Sequence, residues 1–309
     1  MNSFTIALTN VLLMLFYLVP GILLRKSNKI TEDELGGVSA ILLYGCTPFL
    51  VVSAFLKMEF SWAFLGQMGL FFLVTLAAQA LFMTILYLIF HKHFEDPRYP
   101  VMTIGAVAGN VGFFGLPVIS ALFPNNPEVA CYTTMYMLSM NCIVYSFGIY
   151  FLTGDKKYAS LSAIVKNPAV VGLVFAIPIY IFGLSKYIPE AFQGGISLIG
   201  SMSAPLCMFV LGIRLASRPI KEIFTSWHVY PVIVLKLLIY PLFTFALVCF
   251  LPLPDVFKAT VLILSATPCA TVVQTLPERY QGDADLAARA LFVSTILCFL
   301  TIPLFTFLL

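Results

Sequence analysis

Asn110 lies among four glycines and a proline in TIGAVAGNVGFFGLPVISALFP, residues 103–124, a run otherwise apolar enough to enter a bilayer. Proline removes an amide donor and crowds the preceding turn, and glycine leaves helical geometry at small cost, so a non-helical segment is expected between residues 109 and 117. In such a break the Asn110 amide can donate to a carboxylate while its carbonyl satisfies a freed backbone N–H. Gly109, Val111, Gly112 and Pro117 supply the surrounding backbone. A second interrupted run, LSATPCATVVQTLP at 264–277, has Pro268 at its centre and Thr267, Thr271 and Gln274 as polar neighbours. Asn141 is a further candidate ligand, whereas Asn10 and Gln79 read as bonds between helices.

Two broken helices offer a definite chemistry. Half-helix amino ends present free N–H groups and partial positive charge, which suits a carboxylate, and half-helix carboxyl ends present carbonyls, which suit a cation. An unpaired peptide group in hydrocarbon costs several kcal/mol, so such breaks persist only where protein or a hydrated cavity surrounds them. The competing reading is a pair of proline kinks filled by neighbouring side chains. Lys236 falls inside an apolar run, where it is a counter-charge for an anion or for a helix end, a coupling candidate, or a side chain reaching back to the interface. Every Asp and Glu falls in a loop or at the end of an apolar run, with Glu59 and Glu278 the nearest to the interior, so no carboxylate relay for protons is expected. Uniport of an anion, driven outward by the membrane potential, is the alternative to proton or sodium coupling. His91 and His93 read as interfacial residues without a third metal ligand. HExxH, GxSxG and GxxxxGK[ST] are absent, which argues against an enzyme, and nothing calls for a cofactor or metal.

The elements that must position these residues follow from composition. Of 309 residues, 61% are apolar and 10% are charged, and the mean hydropathy is +0.99, beyond what a water-soluble fold can hide. The net charge of +3 is too small and dispersed for a nucleic-acid partner. Seven cysteines without a CxxC pair read as buried thiols. The first apolar run lacks the basic lead and cleavage site of a secretory signal and reads as a retained helix. Apolar windows predict ten spans, at residues 4–24, 35–56, 62–90, 99–122, 129–153, 161–183, 191–213, 228–251, 256–277 and 286–309. With both termini outside, inside loops carry 13 of the 17 basic residues, including Lys156, Lys157, Lys166, Lys221 and Arg279. Outside loops carry only Lys57, Lys186 and Lys258, which fixes the orientation by the positive-inside rule.

Five spans per half make duplicated halves, residues 1–153 and 161–309, upside down relative to each other. Gly36-Gly37 and Pro48 recur as Gly194-Gly195 and Pro205, and Leu116-Pro117 recurs as Leu276-Pro277, all at offsets of 157 to 160. The expected fold is therefore all-α and integral to the membrane, a 5+5 inverted repeat whose fourth and ninth spans are broken and cross near the midplane, as in secondary transporters.

In GNVGFFGLP at 109–117, TPCATVVQTLPERYQGDADLAARALFVSTI at 267–296 and VLKLLIYPL at 234–242, the sequence resembles the auxin efflux carrier family, within the bile acid, arsenite and riboflavin transporter superfamily. The resemblance covers nearly the whole chain. It implies a sodium/proton antiporter-like or bile acid symporter-like fold, with a scaffold domain of helices 1, 2, 6 and 7 and a transport domain of helices 3–5 and 8–10. It also implies elevator-type alternating access and organic anion substrates, namely auxin in plant members and dicarboxylates such as malate or malonate in bacterial ones. Asn110 matches the family's crossover asparagine. Plant members carry a long hydrophilic loop between the fifth and sixth helices. Here that link is only residues 153–160, which looks like the compact bacterial form and a plasma or inner membrane address. The expected partners are a small organic anion and the lipid bilayer. Proton or sodium coupling and a homodimer stay open, as does a substrate sensor or channel of the same fold.

Overall fold

A computed structural model of the chain describes residues 2–155 and 164–309. Lys156 and Lys157, most of the link at 153–160 and the opening residues of the sixth predicted span lie outside the described residues, as does the side chain of Lys221. In chain order the main helices are α1 (Ser3–Lys26), α2 (Leu35–Leu56), α3 (Trp62–His93), α4 (Arg98–Val107), α5 (Val111–Leu122), α6 (Glu128–Thr153), α7 (Pro168–Ile181), α8 (Glu190–Ala216), α9 (Val229–Cys249), α10 (Asp255–Ser265), α11 (Val272–Arg279) and α12 (Ala284–Leu308). Among the described residues seven helices are long and apolar enough to cross a membrane, namely α1, α2, α3, α6, α8, α9 and α12, and α5 and α7 are shorter apolar helices. Helix α3 is apolar on every side, burying Phe71, Phe82 and Met83 while Leu73, Leu81 and Leu88 face outward, the pattern of a helix in lipid.

Helix starts follow local chemistry. Ser61, Asn167 and Asp283 accept from the backbone amides of Phe64, Ala169 and Leu286 and so cap α3, α7 and α12. At α4 the Arg98 guanidinium forks onto Asp96 at 2.9 and 2.5 Å and holds that carboxyl below the usual carboxylate range. Inside the long helices, three five- or six-residue π-helical stretches end just before an X-Pro pair. These are Ile41–Cys46 before Pro48, Val111–Gly115 before Pro117, and Leu235–Ile239 before Pro241. A proline ring collides with the carbonyl four residues back, and widening the preceding turn moves that carbonyl away. This corrects one sequence expectation: the non-helical segment of the fourth span is confined to residues 108–110, and Pro117 sits inside α5 because the π turn absorbs its ring.

Helices α7 and α8 both pack on α2, and α1 packs along α8 with its backbone in direct contact. There Gly21 and Gly212 face each other. A Cβ on Gly212 would stand 2.2 Å from the Leu18 carbonyl oxygen, and one on Gly21 equally close to that of Phe209. Only backbone blocks these positions, so the two helices would have to separate to admit a methyl group. Gly212→Ala is therefore expected to destabilise the protein by about 3 kcal/mol, read as a lowered thermal midpoint in detergent, while Gly194→Ala, in open space, leaves it unchanged. Separately, α3 packs on α6, α9 on α10, and α11 on α12. Thr75 and Gln79 of α3 bond Ser139 of α6, each at 2.9 Å, and Tyr136 of α6 bonds Tyr240 of α9 at 2.8 Å.

Candidate functional site

The two interruptions meet. Asn110 N–H donates to the Pro268 carbonyl at 2.8 Å and Ala270 N–H to the Ala108 carbonyl at 3.0 Å, so Gly109 and Cys269 form an isolated antiparallel bridge. Peptide groups freed from two helices thus satisfy one another, as burial demands. Asn110 is also the centre of an inverse γ-turn, φ −77° and ψ 61°, closed by Val111 N–H on the Gly109 carbonyl at 2.8 Å. Its own carbonyl accepts from Phe114 and Gly115 and so starts α5. On the other strand Cys269 N–H donates to Ser294 Oγ of α12 at 3.0 Å.

Behind the bridge lies Lys236, the only buried charged side chain among the described residues. Its Nζ donates to the Ser265 carbonyl at 3.0 Å and the Val107 carbonyl at 3.4 Å, and stands 5.0 Å from the centre of the Tyr240 ring. Ser265 and Val107 are the last residues of α10 and α4, so one ammonium serves the negative ends of both half-helices. Of the positions open to this lysine from sequence, it stands at the two helix-end carbonyls. Gly109 packs against it, since a Cβ there would meet Thr267 Oγ1 at 2.4 Å and Lys236 Nζ at 2.9 Å.

In front of the bridge, a cavity of about 370 Å³ is floored by Asn110, Gly112, Phe113, Thr271 and Val272 and walled by Met137, Met140, Asn141, Tyr44 and Tyr145. Lys166 and Arg279, both exposed, stand at its mouth, and among the described residues no Asp or Glu lines it. Among the described residues the amides of Gly112, Phe113, Thr271 and Val272, at the starts of α5 and α11, donate no hydrogen bond. The Asn110 side chain, 5% exposed, makes only a long 3.7 Å contact from Nδ2 to Cys207 Sγ of α8. The floor is thus a set of donors converging on one space, where an anion would complete their bonding.

A second cavity of about 410 Å³ lies beyond, lined by Lys57, Ser53, Ser120, Asn126, Ser203 and Pro117 among others. Along α2, residues 43–47 line the first cavity and residues 50–57 the second, so the two are stacked over about 20 Å of one helix. Gly112 lines both, and the Met137 thioether packs against it.

The residues singled out from sequence are thus distributed over three places. Asn110, Gly109, Val111, Gly112, Thr271 and Asn141 line the first cavity. Pro117 lines the second, and Thr267 and Pro268 belong to the crossing itself, the Thr267 hydroxyl donating to the Leu264 carbonyl. Gln274 points elsewhere: its Nε2 donates to Glu278 Oε1 at 2.7 Å, and Arg214 of α8 approaches the same oxygen at 3.9 Å. Sequence reasoning did not single out Tyr44, Tyr145, Met137, Lys166 or Arg279 for the site. Arg279 ends α11 seven residues after Val272, a spacing from the break that is visible in the sequence once α11 is known to border a cavity.

A bundle of long apolar helices with two interrupted helices paired beside a donor-rich cavity defines a multi-pass membrane protein. Residues 157–306 match the family described as membrane transport protein, the auxin efflux carrier family that the sequence resembles. It is 26% identical over 304 residues to an uncharacterized transporter of Methanocaldococcus jannaschii, covering 95% of this chain and 96% of the relative. Over 302 residues it is 22% identical to an uncharacterized transporter of Methanothermobacter thermautotrophicus, covering 96% of each. The compact length is therefore shared with archaeal proteins.

Proposed function

We propose that this protein is a secondary transporter that moves small organic anions, carboxylates above all, across the cell membrane by alternating access. The observation that carries the reading is the floor of the first cavity, where unpartnered amides from two helix starts and the Asn110 side chain converge without an opposing carboxylate. Taken as one interrupted span each, α4 with α5 and α10 with α11 complete ten spans. The bridged residues Gly109 and Cys269 are 160 positions apart, the same offset as Leu116-Pro117 and Leu276-Pro277, which supports an inverted repeat with its axis through the bridge.

In this reading α1, α2, α7 and α8, held together by backbone-close packing, form the scaffold. The remaining helices carry the crossing past it as an elevator. The excess of basic inside loops turns the mouth with Lys166 and Arg279 toward the cytoplasm and the second cavity outward. A membrane potential negative inside then favours efflux. In this reading the Lys236 amino group stands at the two helix-end carbonyls behind the crossing.

Purified protein in liposomes loaded with malate or malonate tests this directly. Saturable uptake that shows counterflow is expected. Unsaturable flux would identify a channel, and tight binding without flux a sensor.

A further inference from the structure

Very little separates the two stacked cavities. Both lie between α2, α5 and α6 and run toward opposite ends of these helices. The first takes Tyr44 and Thr47 of α2 with Asn141 and Tyr145 of α6, and the second takes Lys57 at the end of α2 with Asn126 just before α6. From Thr47 in one to Leu50 in the other is less than a helical turn of α2, about 4.5 Å along its axis, against about 30 Å of hydrocarbon. Among the described residues Gly112 alone lines both. On this glycine lies the buried side chain of Met137: a Cβ at position 112 would stand 2.7 Å from its Sδ and 2.9 Å from its Cε. Neither cavity is lined by Asp or Glu among the described residues, and each carries exposed cations, Lys166 and Arg279 in the first and Lys57 in the second.

We infer that Met137 seated on Gly112 is a gate one side chain thick, and that the two cavities on either side of it form a latent anion-conducting path across the protein. The inference rests on the reading of the cavities as opening toward opposite faces of the membrane. Gly112 has no side chain to fill the space if the thioether is shortened, so a gap opened there stays open. An unbranched thioether closes the seat and can rotate off it without moving a helix. An apolar constriction holds back ions by excluding water, and cations on both sides with no carboxylate among them favour anions once water enters. The gate is then what keeps a solute-binding cavity from being an open channel.

The test uses iodide, so it does not depend on which solute is carried. Wild type and variants, each checked for an unchanged thermal midpoint, are placed in liposomes holding an iodide-quenched fluorophore, with potassium entry measured in parallel. The wild type is expected to admit iodide no faster than protein-free liposomes. Met137→Ala, which loses Cγ, Sδ and Cε, should raise iodide entry by about tenfold or more, without saturation and well ahead of potassium. Met137→Leu, which keeps the bulk, should stay closed. Adding Lys57→Gln to Met137→Ala should cut the iodide rate severalfold, because one end of the path loses its charge. Met137→Cys serves where the alanine variant is unstable: it should leak, and a bulky methanethiosulfonate should close the leak until a reductant removes it, while the same reagent leaves the wild type unchanged. Alanine and cysteine variants as tight as the wild type, or a leak that passes potassium as fast as iodide, overturn the gated anion path, and carboxylate counterflow by the wild type would then leave the carrier reading standing. A gated iodide leak with no counterflow of any carboxylate supports the gate and overturns the carrier reading.

Discussion

Asn110→Ala is expected to lose saturable carboxylate flux by about a hundredfold while the protein folds as before. The reason is a division of labour within one residue. Its backbone holds the crossing, through the N–H to Pro268, the carbonyl to Phe114 and Gly115, and the γ-turn at Gly109, and alanine keeps all of these. Its side chain makes one hydrogen bond among the described residues, the long one to Cys207, a weak acceptor. Truncation should therefore change stability by less than about 1 kcal/mol, whereas removing a donor to a charged ligand typically costs about 1.5 to 3 kcal/mol, a factor of ten to more than a hundred. Asn110→Asp should be as inactive, because it sets a negative charge against the anion. Thermal midpoints and counterflow rates measured on the same preparations check both halves, and wild-type flux in the alanine variant would remove this side chain from the site.

Replacing Lys236 should have an effect of similar size by a different route. Lys236→Met keeps the length and apolar stem but removes the only donor among the described residues to the Ser265 and Val107 carbonyls, and the amino group over Tyr240. Two terms oppose each other: the carbonyl ends of α4 and α10 are left facing one another unpaired, but the cost of burying an ammonium disappears. Their near cancellation predicts a change in stability within about 2 kcal/mol. Transport does not share that cancellation. The floor donors begin on the residues just beyond the bridge, so letting the two helix ends drift apart moves Gly112 and Thr271 relative to each other, and flux should fall at least tenfold. Lys236→Arg should not rescue it, since Gly109 leaves no room for a larger head group. A methionine variant that transports at the wild-type rate would show that the ammonium has no part in holding the crossing.

Much of the fold was legible because its causes are local. The interruption at Gly109 and Asn110 and the one at Pro268 are written in residues that cannot continue a helix, and the structure breaks the chain at both. Pro117 shows the limit of the same rule. A proline can be accommodated by a π turn instead of a break, and which occurs depends on whether the widened turn finds space between its neighbours, as Val111–Gly115 does.

Gln274 and Lys236 mark where local reasoning stopped. Both were visible as polar residues in apolar runs, but a helical residue's direction turns by about 100° per position, so its partner depends on how the helix is rotated against its neighbours. Gln274 faces Glu278 and Arg214 rather than the cavity, and Lys236 faces two carbonyls from helices 129 and 29 residues away. Arg279 and Lys166 illustrate the reverse, residues that in sequence only count toward loop charge and in space flank a cavity mouth.

By itself the sequence determined that this chain belongs in lipid, where its long helices run, and where two of them must fail, because hydropathy, proline and glycine act on their immediate neighbours. The tertiary structure decided that the two failures pair with each other, that one lysine closes both helix ends behind them, and that the free amides open into a cavity bordered by cations. Those outcomes depend on contacts between residues 29 to about 160 positions apart, and only the packed helices bring such groups within reach of a hydrogen bond.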